Sequence, residues 1–303
     1  MNERPGVAAA FFKGHGLGND YLVFDSGDAW WPSAAAVRAV CDPHRGVGSD
    51  GIVVVAAMEP VVALRMFNPD GSEFERSGNG LRIAAAALFR RGLVGTDPFP
   101  VETGGGTAVL QIHRELAAGA FDASAVLGRA RVGPEAVGLE LGALMDGGTR
   151  SPSLGGGFGG TLSHPTRGVL HVVPVSVGNP HLVVFTEDLT DEALSEIGPH
   201  LVAHPALASG ANVQLARVEA DGIRIRIWER GVGRTDASGT SASAVAVAAV
   251  AGGRCASGTH TVFMDGGEFQ IEVSADLDVT LRGPVSEVFV GELSAGFLEG
   301  LAG

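Results

Sequence analysis

Two short stretches of the sequence each place a serine beside glycine at the start of an alanine-rich segment. The first is Glu75-Arg76-Ser77-Gly78-Asn79-Gly80, and the second is Asp236-Ala237-Ser238-Gly239-Thr240-Ser241. A helix that begins there offers unpaired backbone N–H groups and the positive end of its dipole, and both attract an anion. The pattern therefore predicts two similar sites, each of which favours an anion next to a hydroxyl group.

The similarity between these stretches is part of a longer internal repeat. Gly18-Asn19-Asp20-Tyr21-Leu22-Val23 recurs as Gly178-Asn179-Pro180-His181-Leu182-Val183, and Gly48-Ser49-Asp50-Gly51-Ile52 recurs more loosely as Gly210-Ala211-Asn212-Val213-Gln214. Three segments in one order indicate a duplicated domain. We expect an N-terminal half over residues 1–125, joined by 288–303, and a C-terminal half over 126–287. Clefts between domains are preferred ligand sites, so we expect the active site between the halves.

The elements that must hold these residues are mostly strands. Apolar and alternating runs predict strands at 52–55, 169–173, 182–185, 223–227 and 269–273. Helices are predicted at 34–40, 80–90, 191–200 and 242–251. The second and fourth helices are almost entirely apolar or small, so each is expected to be buried at the centre of its half. The glycine- and serine-rich stretch 147–160 is predicted to be a loop without a function.

Composition limits the possible partners. The chain of 303 residues is 45% hydrophobic and 18% charged, which suits a globular protein with a large core. Its net charge of −13, from 21 Lys+Arg and 34 Asp+Glu, argues against binding to nucleic acid or to an anionic membrane. The longest small apolar stretch, 242–251, is too short to span a bilayer, and no secretory signal is evident, so a cytoplasmic location is expected.

Composition also argues against a cofactor or a metal. Lys13 is the only lysine, so pyridoxal phosphate would have to form its Schiff base there. Cys41 and Cys255 lack the spacing of a thiolate metal site or of a disulfide framework. The histidines lack H-E-x-x-H spacing. No cofactor and no metal are therefore expected.

Several motifs together resemble those of the diaminopimelate epimerase family over nearly the whole chain. They are Gly16-Leu17-Gly18-Asn19-Asp20, Asn68-Pro69-Asp70-Gly71-Ser72-Glu73, Ser77-Gly78-Asn79-Gly80, Val177-Gly178-Asn179-Pro180-His181, Glu229-Arg230-Gly231-Val232-Gly233 and Ser238-Gly239-Thr240. The resemblance implies an α+β fold of two pseudo-symmetric halves, each a barrel-like, mostly antiparallel sheet around a central helix. It also implies racemisation of an amino acid without a cofactor, and a homodimer.

The chain departs from the family at the residues that move the proton. The family uses two cysteines, and the matching positions here are Ser77 and Ser238. A thiol ionises near pKa ~8.5 and an alcohol near about 15.7, so an alkoxide costs on the order of 10 kcal/mol more at neutral pH. The positive end of a helix lowers this cost by at most ~2 kcal/mol. Either serine is therefore a poor base without help.

Three further residues are candidates to provide that help. Asp236 lies two positions before Ser238, so in an extended segment it can share a face with the serine and act as its base or activator. The alternative for Asp236 is a solvated loop or capping residue. By resemblance, His181 and Glu229 match positions that handle protons in the family. The predicted catalytic residues are Ser77, Ser238, Asp236, Glu229 and His181.

A larger group fits substrate binding. The planar guanidinium of Arg230 can hold a carboxylate, the backbone amides at the two helix starts can hold another, and asparagines supply neutral donors and acceptors. A surface ion pair for Arg230, and turn positions for the asparagines, are the competing interpretations. The predicted binding residues are Asn19, Asn68, Gly78, Asn79, Asn179, Asn212, Arg230, Gly239 and Thr240.

Three functions follow from these observations. The leading hypothesis is an epimerase or racemase acting on diaminopimelate (LL- to meso-) or a related amino acid. A different proton-shift isomerase of an acidic small molecule is the second. The third is a catalytically inactive homologue that binds an amino acid, which would be stabilised by its ligand without turnover.

Overall fold

A computed structural model of the protein describes residues 6–140 and 159–301. Most of the predicted loop, residues 147–158, lies outside the described residues. The chain divides into two compact units: unit 1 runs to Val126 and resumes at Arg282, and unit 2 is Leu127–Leu281. The chain thus returns to unit 1 at residue 282, whereas the sequence analysis expects this at residue 288.

Unit 1 is a sheet that surrounds one long helix. Its elements are β1 (Gly6–Gly16), β2 (Asn19–Gly27), α1 (Ala34–Cys41), β3 (Ile52–Ala57), β4 (Val62–Phe67), β5 (Glu73–Phe74), α2 (Gly78–Arg90), β6 (Phe99–Thr103), β7 (Gly106–Ala117), β8 (Ala120–Arg129, which ends beyond the boundary), the later part of β18 (Asp278–Glu292) and α6 (Ala295–Leu301).

The strands of unit 1 pair in a closed order. β1 pairs antiparallel with β2, β2 parallel with β3, β3 antiparallel with β4, β4 parallel with β6, β6 antiparallel with β7, and β7 antiparallel with β8. β18 pairs with both β8 and β1, which closes the ring. The helix α2 packs against β1, β2, β3 and β7.

Unit 2 has a comparable set of elements. They are β9 (Arg131–Val132), α3 (Pro134–Val137), β10 (Gly160–His164), β11 (Gly168–Ser176), β12 (Pro180–Phe185), α4 (Asp191–Val202), β13 (Asn212–Glu219), β14 (Gly222–Glu229), β15 (Gly233–Thr235), α5 (Gly239–Ala251), β16 (Gly258–Met264), β17 (Gly267–Val273) and the start of β18.

The two units repeat the same pairing directions. β11 to β17 follow β1 to β7 with antiparallel, parallel, antiparallel, parallel and antiparallel contacts in the same order. The register places Leu22 opposite Ile52 and Leu182 opposite Val213. Ile52 therefore corresponds to Val213 and not to Gln214. The stretch from Leu22 to Ile52 is one residue shorter than the stretch from Leu182 to Val213, so the extra residue lies in unit 2, before β13. The predicted α+β fold with two similar halves is confirmed.

The central helices form where a serine cap precedes small residues. Ser77 and Ser238 are the N-caps of α2 and α5, with extended backbones at φ −130° and −151°. All residues of α2 from Gly78 to Leu88 are buried, as are those of α5 from Ser241 to Ala249. Alanine keeps each helix slim enough to be enclosed and also favours the helical state. The four predicted helices and five predicted strands are all present, and the short helices α3 and α6 are additional.

Each unit has its own apolar core. In unit 1, Phe11, Phe24 and Trp30 form a tilted and edge-to-face aromatic group that packs with α1. In unit 2, Leu182, Ile197 and Leu215 belong to a cluster between the sheet and α4. Within the described residues, no helix is long and apolar enough to cross a membrane.

The enclosure of α5 predicts that it will not tolerate extra volume. Ala246→Leu places a larger side chain where the alanine is 0% exposed, and we expect a loss of about 1–3 kcal/mol in the free energy of unfolding. Ala35→Leu, at an exposed position of α1, is the control and should change stability by less than about 0.5 kcal/mol. Urea unfolding measures both. Equal stability of Ala246→Leu and the parent would show that α5 is less tightly enclosed than described.

Candidate active site

The start of α2 holds Ser77 in a fixed orientation. Its Oγ accepts a hydrogen bond from the backbone N–H of Gly80 at 3.1 Å. Ser77 is half-buried, whereas Gly78 and Asn79 behind it are buried. The first N–H groups of a helix have no partner within the helix, so this end carries a partial positive charge beside the hydroxyl. The arrangement suits an anion held next to Ser77.

Two predicted binding residues meet at this helix start. Asn79 is 5% exposed, and its Nδ2 donates to Asn19 Oδ1 at 2.9 Å. Asn19 Nδ2 in turn donates to Asp50 Oδ2 at 3.0 Å. On the other side, the guanidinium of Arg82 donates to Asn79 Oδ1. Ser77, Gly78, Asn79 and Asn19 therefore form one connected site in unit 1.

Arg82 is the residue of this site that sequence analysis missed. It is 0% exposed, and burial lowers its pKa to about 9, against the smaller opposing effect of Asp122. An arginine in the otherwise apolar interior of α2 is the signal that would have found it, because charged residues are rarely buried without a specific role.

Asn68 and Glu75 do not join this group through any described hydrogen bond. Asn68 Nδ2 donates to Ser72 Oγ at 2.9 Å, and the Asn68 carbonyl accepts from Gly71 N, so the residue closes the turn between β4 and β5. Glu75 is exposed. For Asn68, the structure favours the competing interpretation of a turn residue.

The start of α5 repeats the arrangement in unit 2. Ser238 Oγ accepts from Ser241 N at 3.4 Å and lies 3.4 Å from Thr240 Oγ1. Ser238 is 8% exposed, and Gly239 behind it is also buried. Ser238, Gly239 and Thr240 therefore present a hydroxyl pair at the positive end of a buried helix.

A buried polar chain runs beneath this helix start. Gln214 Nε2 donates to Ser241 Oγ and to His181 Nδ1, both at 3.0 Å, and all three residues are 0% exposed. With the Gln214 amide oriented in this way, His181 Nδ1 accepts, and the tautomer assigned on that basis donates from Nε2 to Asn179 Oδ1 at 2.9 Å. Sequence analysis missed Gln214 and Ser241 as members of the site, although a polar residue in the buried run of β13 is a usable signal.

The burial and the hydrogen bonds of His181 argue against it as the catalytic base. Burial lowers the pKa of His181 to about 3, with a smaller opposing effect from the Gln214 hydrogen bond. A general base needs a pKa near the working pH and a free lone pair, and the Nδ1 lone pair already accepts from Gln214. His181 is therefore a neutral residue that orients Asn179.

The side chain of Asp236 lies on the surface of unit 2. Its side chain is 63% exposed and pairs with Arg234 at 2.5 Å. Arg234 also contacts Asp191 and Asp265, so Asp236 belongs to a surface ion-pair network. No described hydrogen bond joins Asp236 to Ser238. The structure thus favours the solvated loop alternative over a base or activator.

Glu229, Arg230 and Asn212 lie together at the end of β14. Asn212 Oδ1 accepts from the backbone N–H of Arg230 at 2.9 Å, and the Arg230 guanidinium donates to the Ser209 carbonyl. Half-buried Glu229 accepts from Thr235 Oγ1 at 3.4 Å. Asn212 is the strand partner of His181, which places it one strand from the buried chain. The Glu229 carboxylate can therefore still accept a hydrogen bond or a proton from another partner.

The two cysteine thiols and the only lysine of the chain take no part in the hydrogen bonds described above. Burial, with smaller effects of Asp20 and Asp50, raises the pKa of the Cys41 thiol to about 12, and burial also raises that of Cys255. Neither is an activated thiolate. Lys13 Nζ contacts Asp20 Oδ2 at 2.7 Å and the Gly48 carbonyl at 2.6 Å. Residues 6–140 and 159–301 contain no group of three or more acidic, histidine or cysteine side chains that could hold a metal ion.

Solved structures with this architecture share little sequence with the chain. A protein described as a predicted epimerase from Pseudomonas aeruginosa is 20% identical, with a TM-score of 0.64 over 94% of this chain and 99% of that chain. A probable proline racemase from Agrobacterium radiobacter is 16% identical, with a TM-score of 0.65 over 94% and 93%. The architecture is therefore the two-halved fold also seen in these racemase-like proteins.

Sequence comparison identifies the family within that fold. The family model for diaminopimelate epimerase matches residues 11–131 and 173–288. A diaminopimelate epimerase from Desulforudis audaxviator is 39% identical over 93% of this chain and 98% of its own length. Diaminopimelate epimerase 2 from Nostoc sp. is 35% identical over 94% and 95%. The chain belongs to the diaminopimelate epimerase family.

The neutral state of His181 predicts how stability depends on pH. The unfolded chain takes up a proton on this residue below its ordinary pKa of 6.5, whereas the folded chain does so only at about 3. Because the unfolded state binds more protons in this window, the free energy of unfolding falls as the pH is lowered from about 6.5 to about 3.

His181→Gln should remove this contribution, which amounts to at most about 1.4 kcal/mol per pH unit. Urea unfolding at several pH values measures the slope. His44→Gln, at an exposed turn position, is the control. An unchanged slope in His181→Gln would mean that the histidine titrates normally in the folded protein.

Proposed function

We propose that the protein is a cofactor-independent epimerase of diaminopimelate or a closely related amino acid, with Ser77 and Ser238 at the positions that act on the α-proton. The observation that carries this proposal is the repeated helix start: in each unit a serine N-cap stands at the positive end of a buried helix. The names of its relatives, which cover almost the whole chain, support the substrate.

In this proposal the α-carboxylate of the substrate takes hydrogen bonds from backbone N–H groups at Gly78, Asn79, Gly239 and Thr240. These donors stabilise the negative charge that moves into the carboxylate when the α-proton leaves. The proton passes from the α-carbon to a base on one face, the electron pair moves into the carboxylate, and an acid on the other face returns a proton. The α-carbon is then inverted with no net change in atoms.

The serines make the base step difficult. Each Oγ accepts a backbone hydrogen bond, from Gly80 or Ser241, and such a bond to a charged oxygen contributes about 1.5–3 kcal/mol. The deficit relative to a thiol is on the order of 10 kcal/mol, so most of it remains. Glu229 is the predicted helper that still has carboxylate capacity, and we assign it the role of base or activator.

A second candidate function follows from the same constraint. Because His181 is neutral and Asp236 is tied to Arg234, only Glu229 remains of the three predicted helpers. A protein that binds the amino acid without turning it over would keep every binding feature described above. A proton-shift isomerase of another acidic small molecule is the remaining alternative. The proposal also includes a homodimer and a cytoplasmic location.

The decisive experiment follows α-proton exchange in D₂O. The protein is incubated with L,L-diaminopimelate, and loss of the α-proton signal is followed by NMR. We expect slow exchange that is abolished by Ser77→Ala and by Ser238→Ala, while Ser195→Ala, on the exposed side of α4, leaves it unchanged. A thermal shift with the ligand but no exchange would contradict the epimerase proposal and favour the binding protein.

Restoring thiols should increase the rate. We expect the double variant Ser77→Cys/Ser238→Cys to exchange the α-proton at least about 10²-fold faster than the parent at neutral pH, because a thiolate forms far more readily than an alkoxide. The same NMR assay measures it. A double variant no faster than the parent, although folded, would show that these positions do not face the α-proton.

The two carboxylates can be compared directly. Glu229→Gln and Asp236→Asn each remove one negative charge, but only Glu229 is assigned a role in proton transfer. We expect Glu229→Gln to lower the exchange rate by about 10²-fold or more, and Asp236→Asn to change it by less than about threefold, as for a surface ion pair. The reverse order would restore Asp236 as the base.

A further inference from the structure

A buried cation stands next to the amides of the unit 1 site. Arg82 is 0% exposed, and its Nη1 donates to the Pro284 carbonyl at 3.1 Å while its Nη2 donates to Asn79 Oδ1. The contact is closely enclosed: a Cβ atom on Gly16 would lie 3.0 Å from both Arg82 Nη2 and Asn79 Oδ1. Arg82 is thus fixed against one particular atom of Asn79.

This contact determines the direction of a chain of hydrogen bonds. An asparagine amide can in general be turned either way, and only its partners decide which end is oxygen. A guanidinium is a donor only, so the atom of Asn79 that faces it must be Oδ1. Asn79 Nδ2 then donates to Asn19 Oδ1 at 2.9 Å. The chain ends where Asn19 Nδ2 donates at 3.0 Å to Asp50 Oδ2, which as a carboxylate can only accept.

Unit 2 reaches the same result by different residues. Asn179, which corresponds to Asn19 in the repeat, also has its Oδ1 turned to an internal donor, His181 Nε2, at 2.9 Å. The position that corresponds to Arg82 is Ser243, whose Oγ donates to Gly239 O at 2.8 Å within the helix. Equivalent asparagines are therefore oriented alike, by an arginine in one unit and by a histidine and glutamine in the other.

We propose that Arg82 is a positioning residue: it fixes the orientation of the Asn79 and Asn19 amides, so that unit 1 offers N–H donors and selects a carboxylate over a neutral carboxamide. Each Nδ2 has two N–H bonds and uses one within the described chain, which leaves a donor for a ligand. The selectivity for a carboxylate rests on the proposed amino-acid function, whereas the orientation of the two amides by Arg82 is independent of that function.

The first test needs no ligand. Side-chain amide signals of Asn79 and Asn19 are recorded by ¹⁵N NMR and assigned from the signals lost in Asn79→Asp and Asn19→Asp. Arg82→Met keeps an apolar chain of similar length but removes the donors, and we expect both signals to shift or broaden. Arg82→Lys, which is again a donor only, should move them back. Arg65→Met, which removes another arginine of unit 1 that pairs with Glu73, should leave both in place.

Asn19 decides this test, because its described hydrogen bonds do not include Arg82. An Asn19 signal that stays in place in folded Arg82→Met overturns the proposal. If Arg82→Met does not fold, Asp50→Asn tests the chain from its exposed acceptor end. Arg82 still holds Asn79 Oδ1 in this variant, so we expect the Asn79 signal to stay in place, and an Asn79 signal that moves overturns the proposal.

The second test measures selectivity. Binding of diaminopimelate and of its diamide is compared by calorimetry for the parent, Arg82→Met, Arg82→Lys and Arg65→Met. We expect Arg82→Met to lose about tenfold of the preference for the carboxylate, whereas a merely structural defect would weaken both ligands equally and would contradict the selectivity. If the parent binds neither ligand, the proposed function fails, and the amide spectra still decide the role of Arg82.

Discussion

Burying the start of a helix imposes the constraint on which this protein depends. The first N–H groups of α2 and α5 have no partner inside the helix, and burial limits the access of water to them. One N–H in each helix is satisfied by the capping serine, at Gly80 and at Ser241. The other N–H groups of the first turn lie at a positive helix end. The same enclosure that stabilises the core thus gives each unit a helix end that favours an anion.

The two units use different residues to orient the side-chain amides beside their helix starts. Unit 1 uses a buried charge, Arg82, whereas unit 2 uses the neutral pair His181 and Gln214. A charge held at 0% exposure is costly unless its contacts are well made, and here they also define a direction. The two helix starts therefore look alike in backbone but differ in electrostatic potential, so their two serines are not chemically equivalent.

Much of the fold was readable from the sequence, because capped alanine-rich segments and alternating strands are local signals. The repeat was visible too, although the extra residue before Val213 in unit 2 became clear only from strand register. The site was harder to predict. Asp236 was placed beside Ser238 by spacing alone, but it pairs with Arg234, which is also held by Asp191 and Asp265 from distant parts of the chain. His181 was taken as a candidate base because it matches a family position, whereas burial decides its pKa.

One feature of the connectivity affects how the protein is made. Unit 1 closes when β18 pairs with β1, and the residues of β18 that do so, from Ser286 to Glu292, follow all of unit 2 in the sequence. Unit 2 is continuous from Leu127 to Leu281. During synthesis all of unit 2 therefore emerges before unit 1 can be completed, although unit 1 begins first. Until β18 has been synthesised, the first strands of unit 1 therefore have an open, unpaired edge.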